Sequence, residues 1–368
     1  MHATDALIEA DRLMTVCNSC RYCEGLCAVF PAMEARHAFP DGDLNYLANL
    51  CHGCGACYDD CQFAPPHEFA VNVPKVLAEV RADSYAAYAW PPIAANLFRR
   101  NGLAIAIAAA LSVALFILGF VAAADPAALW TGGHEPGAFY RVMPHGAMAA
   151  LFGVAFLYAI VALALSVHRF WTDTGETNAP AVDTRSIWQA MKDAGRLRYL
   201  DGGGMGCSGE DDRPRDGRRH AHHMVFYGFL LCFASTSVAT LYHYALGWEA
   251  PYAWYDLPVV LGTLGGLGLV GGTLGLYRAK RMRDPALVDT RQLGMDAAFL
   301  AMLFLTGLSG LALLVLRGTG AMGILLALHL GIVFALFVTM PYGKFVHGIY
   351  RFAALVRYAR ERDTPPSS

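Results

Sequence analysis

Beyond residue 100 the chain alternates between long apolar runs and short polar connections, and before it no apolar run is longer than a few residues. A helix that crosses a bilayer needs about 20 mostly apolar residues. Six stretches meet this length: 102–124, 145–168, 222–246, 256–277, 295–317 and 321–346. The run from Leu103 to Ala124 carries no charged residue, so a half-buried helix at the edge of a soluble core does not account for it. The pattern predicts an all-α chain in two parts. A helical, polar N-terminal domain at 1–85 is joined by a linker at 86–101, containing Pro91 and Pro92, to a six-helix transmembrane bundle at 102–360. A long polar loop at 169–221 covers one face of the bundle, and the Pro/Ser-rich end, 361–368, reads as a disordered tail.

Composition agrees with this division. Apolar residues make up 56% of the chain, too many for a soluble protein of 368 residues. The formal net charge of -2 says nothing about nucleic acid, and no basic stripe interleaved with aromatics supports a nucleic-acid binder, so none is expected. Lysine and arginine are distributed unevenly among the connections. They gather before the first span (Arg99, Arg100), in the 169–221 loop, after the fourth span (Arg278, Lys280, Arg281, Arg283, Arg291) and at the C-terminal end, whereas the opposite loops hold Arg141 and Arg317. The positive-inside bias then places both termini in the cytoplasm of a bacterial inner membrane, with the lipid bilayer around the spans. No cleavable signal peptide precedes the first cysteines.

Two cysteine runs share one spacing: Cys17, Cys20, Cys23, Cys27 and Cys51, Cys54, Cys57, Cys61. This C-x2-C-x2-C-x3-C ladder is that of a protein holding two 4Fe-4S clusters, in which the fourth cysteine of each run ligates the other cluster. The expected sets are Cys17, Cys20, Cys23 with Cys61, and Cys51, Cys54, Cys57 with Cys27. Structural zinc uses paired cysteines across a longer loop instead. The proline that directly follows the last cysteine in small ferredoxins stands four residues on, at Pro31 and Pro65, as suits a module built into a larger redox complex. Of the two remaining cysteines, Cys207 reads as a spare thiol and Cys232 as a packing residue within a span.

Histidines collect at the ends of the spans. His329 and His347 are 18 residues apart, so a continuous last helix would present both on one face, about 27 Å apart. His222 and His243 lie near the two ends of the third span, about 60° from sharing a face, with His223 on nearly the opposite face from His243. Antiparallel helices would set His222 level with His347 and His243 level with His329, two pairs able to clamp one or two b-type haems. An ionisable side chain such as His329 within an apolar helix is a functional candidate. His145 and His168 read as interfacial. No Cys-x-x-Cys-His occurs, which argues against covalent haem. Gly202, Gly203 and Gly204 lack the lysine of a phosphate loop and read as a tight turn. The glycines from Gly262 to Gly275 allow close helix contact.

The stretch His329-Leu-Gly, then Met340-Pro341-Tyr-Gly-Lys344-Phe-Val-His347, resembles the last haem-binding helix of the nitrate reductase gamma subunit and of the heterodisulfide reductase membrane subunit. The segment from Arg196 through Gly202 to Cys207, with Arg218-Arg219, His222-His223 and Phe226 to His243, resembles the tricarballylate (citrate) utilisation protein B family, TcuB/CitB, over nearly the whole chain. That resemblance implies two 4Fe-4S clusters, haem, and reoxidation of the reduced flavin of a cytosolic FAD-dependent dehydrogenase, TcuA-like, that converts tricarballylate to cis-aconitate. Electrons would pass on to a membrane quinone. A quinol-oxidising subunit feeding a cytoplasmic reductase, or a redox-silent anchor for a dehydrogenase, are the alternatives.

Overall fold

A computed structural model describes residues 2–123, 126–176, 182–200 and 217–363. The Gly202–Gly204 turn, Cys207 and residues 364–368 of the tail lie outside the described residues. Fifteen helices, and no strand, are found among the described residues. The first five are α1 (Asp5–Cys20), α2 (Val29–Glu34), α3 (Asp41–Leu50), α4 (Ala56–Asp59) and α5 (Val73–Tyr88). Then come α6 (Ala95–Arg99), α7 (Asn101–Ala123), α8 (Pro126–Leu129), α9 (His145–Asp173) and α10 (Thr184–Gly195). The last are α11 (Gly217–Leu246), α12 (Leu257–Arg281), α13 (Leu293–Leu316), α14 (Met322–Thr339) and α15 (Val346–Asp363).

Six of these segments are long and apolar enough to cross a membrane: 101–123, 145–173, 217–246, 257–281, 290–316 and 322–342. Their outer faces are apolar. Leu111 is 65% exposed and Val154 70%. Water penalises such a surface and hydrocarbon does not. The α11–α12 pair packs backbone against backbone, and glycine is the reason. A Cβ on Gly228 would lie 2.9 Å from the Gly265 carbonyl oxygen, and one on Gly272 would lie 2.8 Å from that of Ala221. Any side chain there would push the backbones apart.

The sixth span is shorter than its apolar run suggests. Helix α14 ends at Thr339, a 3-10 turn covers Met340–Tyr342, and Gly343 is extended. Pro341 cannot donate the backbone hydrogen bond that would continue the helix. His347 therefore begins a separate helix, α15, and does not share a continuous helical face with His329.

Helix α15 is also the main correction at the C-terminal end. Residues 361–363, expected in the tail, are helical, and Glu361 is anchored. Arg36 Nη2 donates to Glu361 at 2.5 Å, Arg357 Nε at 2.7 Å and the Tyr46 hydroxyl at 2.9 Å. Arg36 and Arg357 also reach Asp43, and the Arg357 guanidinium lies 4.1 Å from the Tyr46 ring centroid. Tyr350 stacks on Tyr85 at 5.6 Å. One hydrophobic core thus joins α1, α2, α3 and α5 with Phe170 of α9, Ala190 of α10 and Tyr350, Ala354 and Leu355 of α15. The N-terminal helices complete their core with the C-terminal helix, which sets them against one end of the apolar bundle.

Candidate redox site

Local geometry turns each cysteine run into a ring. Thr4 caps α1, accepting from the Leu7 amide at 3.3 Å, and the helix carries Cys17 and Cys20 to its last turn. Arg21 in the left-handed region then ends it, and the chain loops back through Cys23 and Cys27. The second run follows α3 in the same way. Gly53 at φ +57° and Gly55 at φ +101° bend the loop between Cys51 and Cys57, a conformation that side chains resist.

Two cavities result. One is lined by Cys17, Cys20, Cys23 and Cys61, and also by Cys57. The other is lined by Cys27, Cys51, Cys54 and Cys57. Phe30, Val73 and Cys57 line both, so the cavities share a wall. The crossed arrangement is also felt electrostatically. Burial pushes the Cys17 thiol up to about 12, helped by Cys61, Cys23 and Cys20. Cys27 is raised by burial and then by Cys54 and Cys51. Thiols that repel one another as thiolates call for a cation among them.

The donor sets fit clusters rather than single ions. Four thiols spread around a cavity suit a cubane, in which each sulfur binds a different iron. Backbone and amide donors approach the sulfurs, with Gly53 N 3.3 Å from Cys51 Sγ and Gln62 Nε2 3.9 Å from Cys20 Sγ.

His222 of α11 and His347 of α15 come together, their ring centroids 6.2 Å apart and their planes at 70°. Two imidazoles that ligate one iron at about 2.0 Å each have centroids about 6.3 Å apart. His347 Nδ1–H donates to the Lys344 carbonyl, which leaves Nε2 with its lone pair free. Burial, and then Arg351 and Lys344, hold His347 well below the usual histidine range, so it is neutral, as a ligand must be. His222 Nδ1 is buried without a partner. These residues fit an axially held haem.

The other sequence-predicted histidines are arranged differently. His243 does not meet His329. It stacks on His145 at 3.5 Å between centroids, with planes 20° apart, and Tyr140 packs edge-on at 5.6 Å. His329 is held by Ser309, Oγ to Nδ1 3.0 Å, in contact with the α13 backbone at Gly310. His223 turns away from His222 and lies 5.8 Å from Tyr227.

Four arginines went unremarked in the cysteine and histidine pattern. Arg81 donates to the carbonyls of Ala48 at 2.7 Å and Cys51 at 2.9 Å, and Arg351 donates to Cys51 at 2.8 Å. Arg218 reaches His52 at 3.0 Å and Gly53 at 3.1 Å, and Arg283 reaches Gly53 at 3.0 Å. They come from α5, α15, α11 and the turn after α12. Only tertiary structure gathers them, although Arg218 stands one helical turn before His222 and Arg351 one turn after His347.

Comparison with known proteins matches both parts. A family model described as Citrate utilization protein B matches residues 96–368, and one described as Citrate utilization protein B Fer4-like domain matches residues 10–87. The Citrate utilization protein B of Escherichia coli is 49% identical over 362 residues, 98% of this chain and 93% of that relative. No solved structure matches the chain.

Proposed function

The chain belongs to the Citrate utilization protein B family, and from that premise we propose that it is a membrane electron-transfer subunit. It takes electrons from the reduced flavin of a cytosolic, TcuA-like FAD-dependent dehydrogenase acting on tricarballylate or citrate. It delivers them to a membrane quinone. The supporting observation is one juxtaposition: two adjoining thiol rings, the second next to a histidine pair at iron-clamping distance. The basic connections and both termini face the cytoplasm in this reading, on the side of the dehydrogenase.

Two 4Fe-4S clusters and a b-type haem, when bound, supply one-electron chemistry that splits the two-electron reaction of a flavin. The protein's own part is placement. Cys17, Cys20, Cys23 and Cys61 hold the outer centre, and Cys27, Cys51, Cys54 and Cys57 the inner one. Lys344 anchors the histidine ligand through its carbonyl, while its ammonium pairs with Asp296 at 2.9 Å and fixes the turn that starts α15.

The test is cofactor analysis of the detergent-purified chain, followed by mixing with the substrate-reduced dehydrogenase. Iron and sulfide for two clusters, a b-type pyridine haemochrome and bleaching on mixing are expected. Absence of haem after haem-replete expression would remove the cytochrome part, and redox silence would leave an anchor. Cys61→Ser tests the crossing: it should remove the centre of Cys17, Cys20 and Cys23 and spare the one next to Cys51, about half the iron.

A further inference from the structure

The two thiol rings have opposite electrostatic surroundings. At the outer ring two acidic residues, Asp59 and Asp60, directly precede Cys61. Tyr22, at its rim, is 71% exposed. The inner ring lies deeper, and the backbone of its Cys51–Gly53 loop accepts from Arg81, Arg218, Arg283 and Arg351. Among the described residues no carboxylate forms an ion pair with any of the four.

Buried cations call for a nearby anion. The four meet at one loop, which carries Cys51 and leads into Cys54, so the charge of a cluster on that ring would face them. Four thiolates around a cluster carry net negative charge, and each added electron deepens it. Nearby fixed cations favour the reduced form.

We propose that Arg81, Arg218, Arg283 and Arg351 are the counter-charge of the Cys27, Cys51, Cys54 and Cys57 centre. They hold its reduction potential above that of the outer centre, so that electrons run inward, toward His222 and His347. This rests on the electron-transfer reading above and adds its direction. One electron is lost on the outer side for each gained on the inner side. No bond is made or broken, and the reductant is the partner's reduced flavin. The arginines are positioning residues: they touch the loop that carries the ligand, not the reacting atoms.

The test is potentiometric titration of the purified full chain, followed by electron paramagnetic resonance. Cys61→Ser serves to assign the two signals. In the unmodified chain the inner centre should be reduced first. Arg351→Gln should lower the potential of that centre alone, and Arg351→Lys, which keeps the charge, should restore most of it. Arg283→Gln should act in the same direction, and it provides the measurement if Arg351→Gln fails to assemble. Equal shifts in both centres, no shift, or a lysine variant that behaves like glutamine would overturn the proposal while leaving two reducible clusters in place. A chain without two reducible clusters would instead overturn the reading on which it rests.

Discussion

Two histidine pairs occupy opposite ends of helix α11, and their geometries differ. At the end near the thiol rings, His222 and His347 are 6.2 Å apart with nearly perpendicular planes. At the far end His243 and His145 are 3.5 Å apart and nearly parallel. The first gap would admit an iron between the rings under the proposal above. The second is closed by direct ring contact. Residue type is alike in both, so spacing decides what each pair could hold. Spacing is set by what holds the partner helix. At the near end the partner is α15, fixed by ion pairs into the N-terminal core. At the far end it is the first turn of α9, which begins directly after Pro144.

Removing a ligand is the largest change available. His222→Ala and His347→Ala should each abolish the b-type haemochrome at unchanged expression, whereas His243→Ala should leave it intact. Equal loss in all three would break the comparison, since the closed pair would then open to bind haem. Loss with His243→Ala alone would reverse it.

A smaller effect should follow from loosening α15 without touching a histidine. Glu361 is held by Arg36, Arg357 and Tyr46. Burial alone would raise its carboxyl, but Arg36 and Arg357 hold it below the ordinary value of 4.5. Its stabilising contribution is therefore complete above that value and is lost as pH falls through the depressed one. Glu361→Gln removes one of the carboxylates that Arg36 and Arg357 share, with Asp43 remaining, and should cost about 2 kcal/mol. Thermal melting should show the deficit at pH 7 and a smaller one on strong acidification. Haem should bind more weakly too, because α15 carries His347. Unchanged haem affinity in a destabilised variant would mean that the position of His347 is set by the Lys344 turn alone.

The two ends also differ in how far the sequence determines them. The thiol rings are legible because ligand spacing along the chain survives folding: Cys17, Cys20, Cys23 and Cys61 line one cavity, Cys27, Cys51 and Cys54 the other, and Cys57 both. The apolar runs locate the six long helices to within a few residues. Hydropathy misleads at the last one. The apolar count runs on through 346, but Pro341 and Gly343 are stop signals, and the helix obeys them. Helix α15 was hidden for another reason. Tyr350, Ala354, Arg357 and Glu361 recur every three or four residues, yet their partners Tyr85, Asp43 and Arg36 lie hundreds of positions away. The arginines around Cys51 come from four separate segments, so no local pattern contains them. His243 and His329 seemed equivalent by depth alone, but rotation about each helix axis, set by packing, sends one to His145 and the other to Ser309.

The smallest effect is expected where the rings merely touch. A stacked aromatic pair contributes about 1 kcal/mol beyond its buried area. His145→Ala should therefore lower the thermal midpoint slightly, through a looser contact between the start of α9 and the end of α11. His243→Ala should do the same, and the double variant should add little to either, because both changes remove one shared contact. The haemochrome should stay at its original amplitude throughout. Additive losses would show that each ring has a separate partner, with Tyr140 and Tyr244 as the candidates, since both pack edge-on against the pair. A halved haemochrome would show instead that the rings part to take an iron, and spacing would then no longer distinguish the two ends of α11.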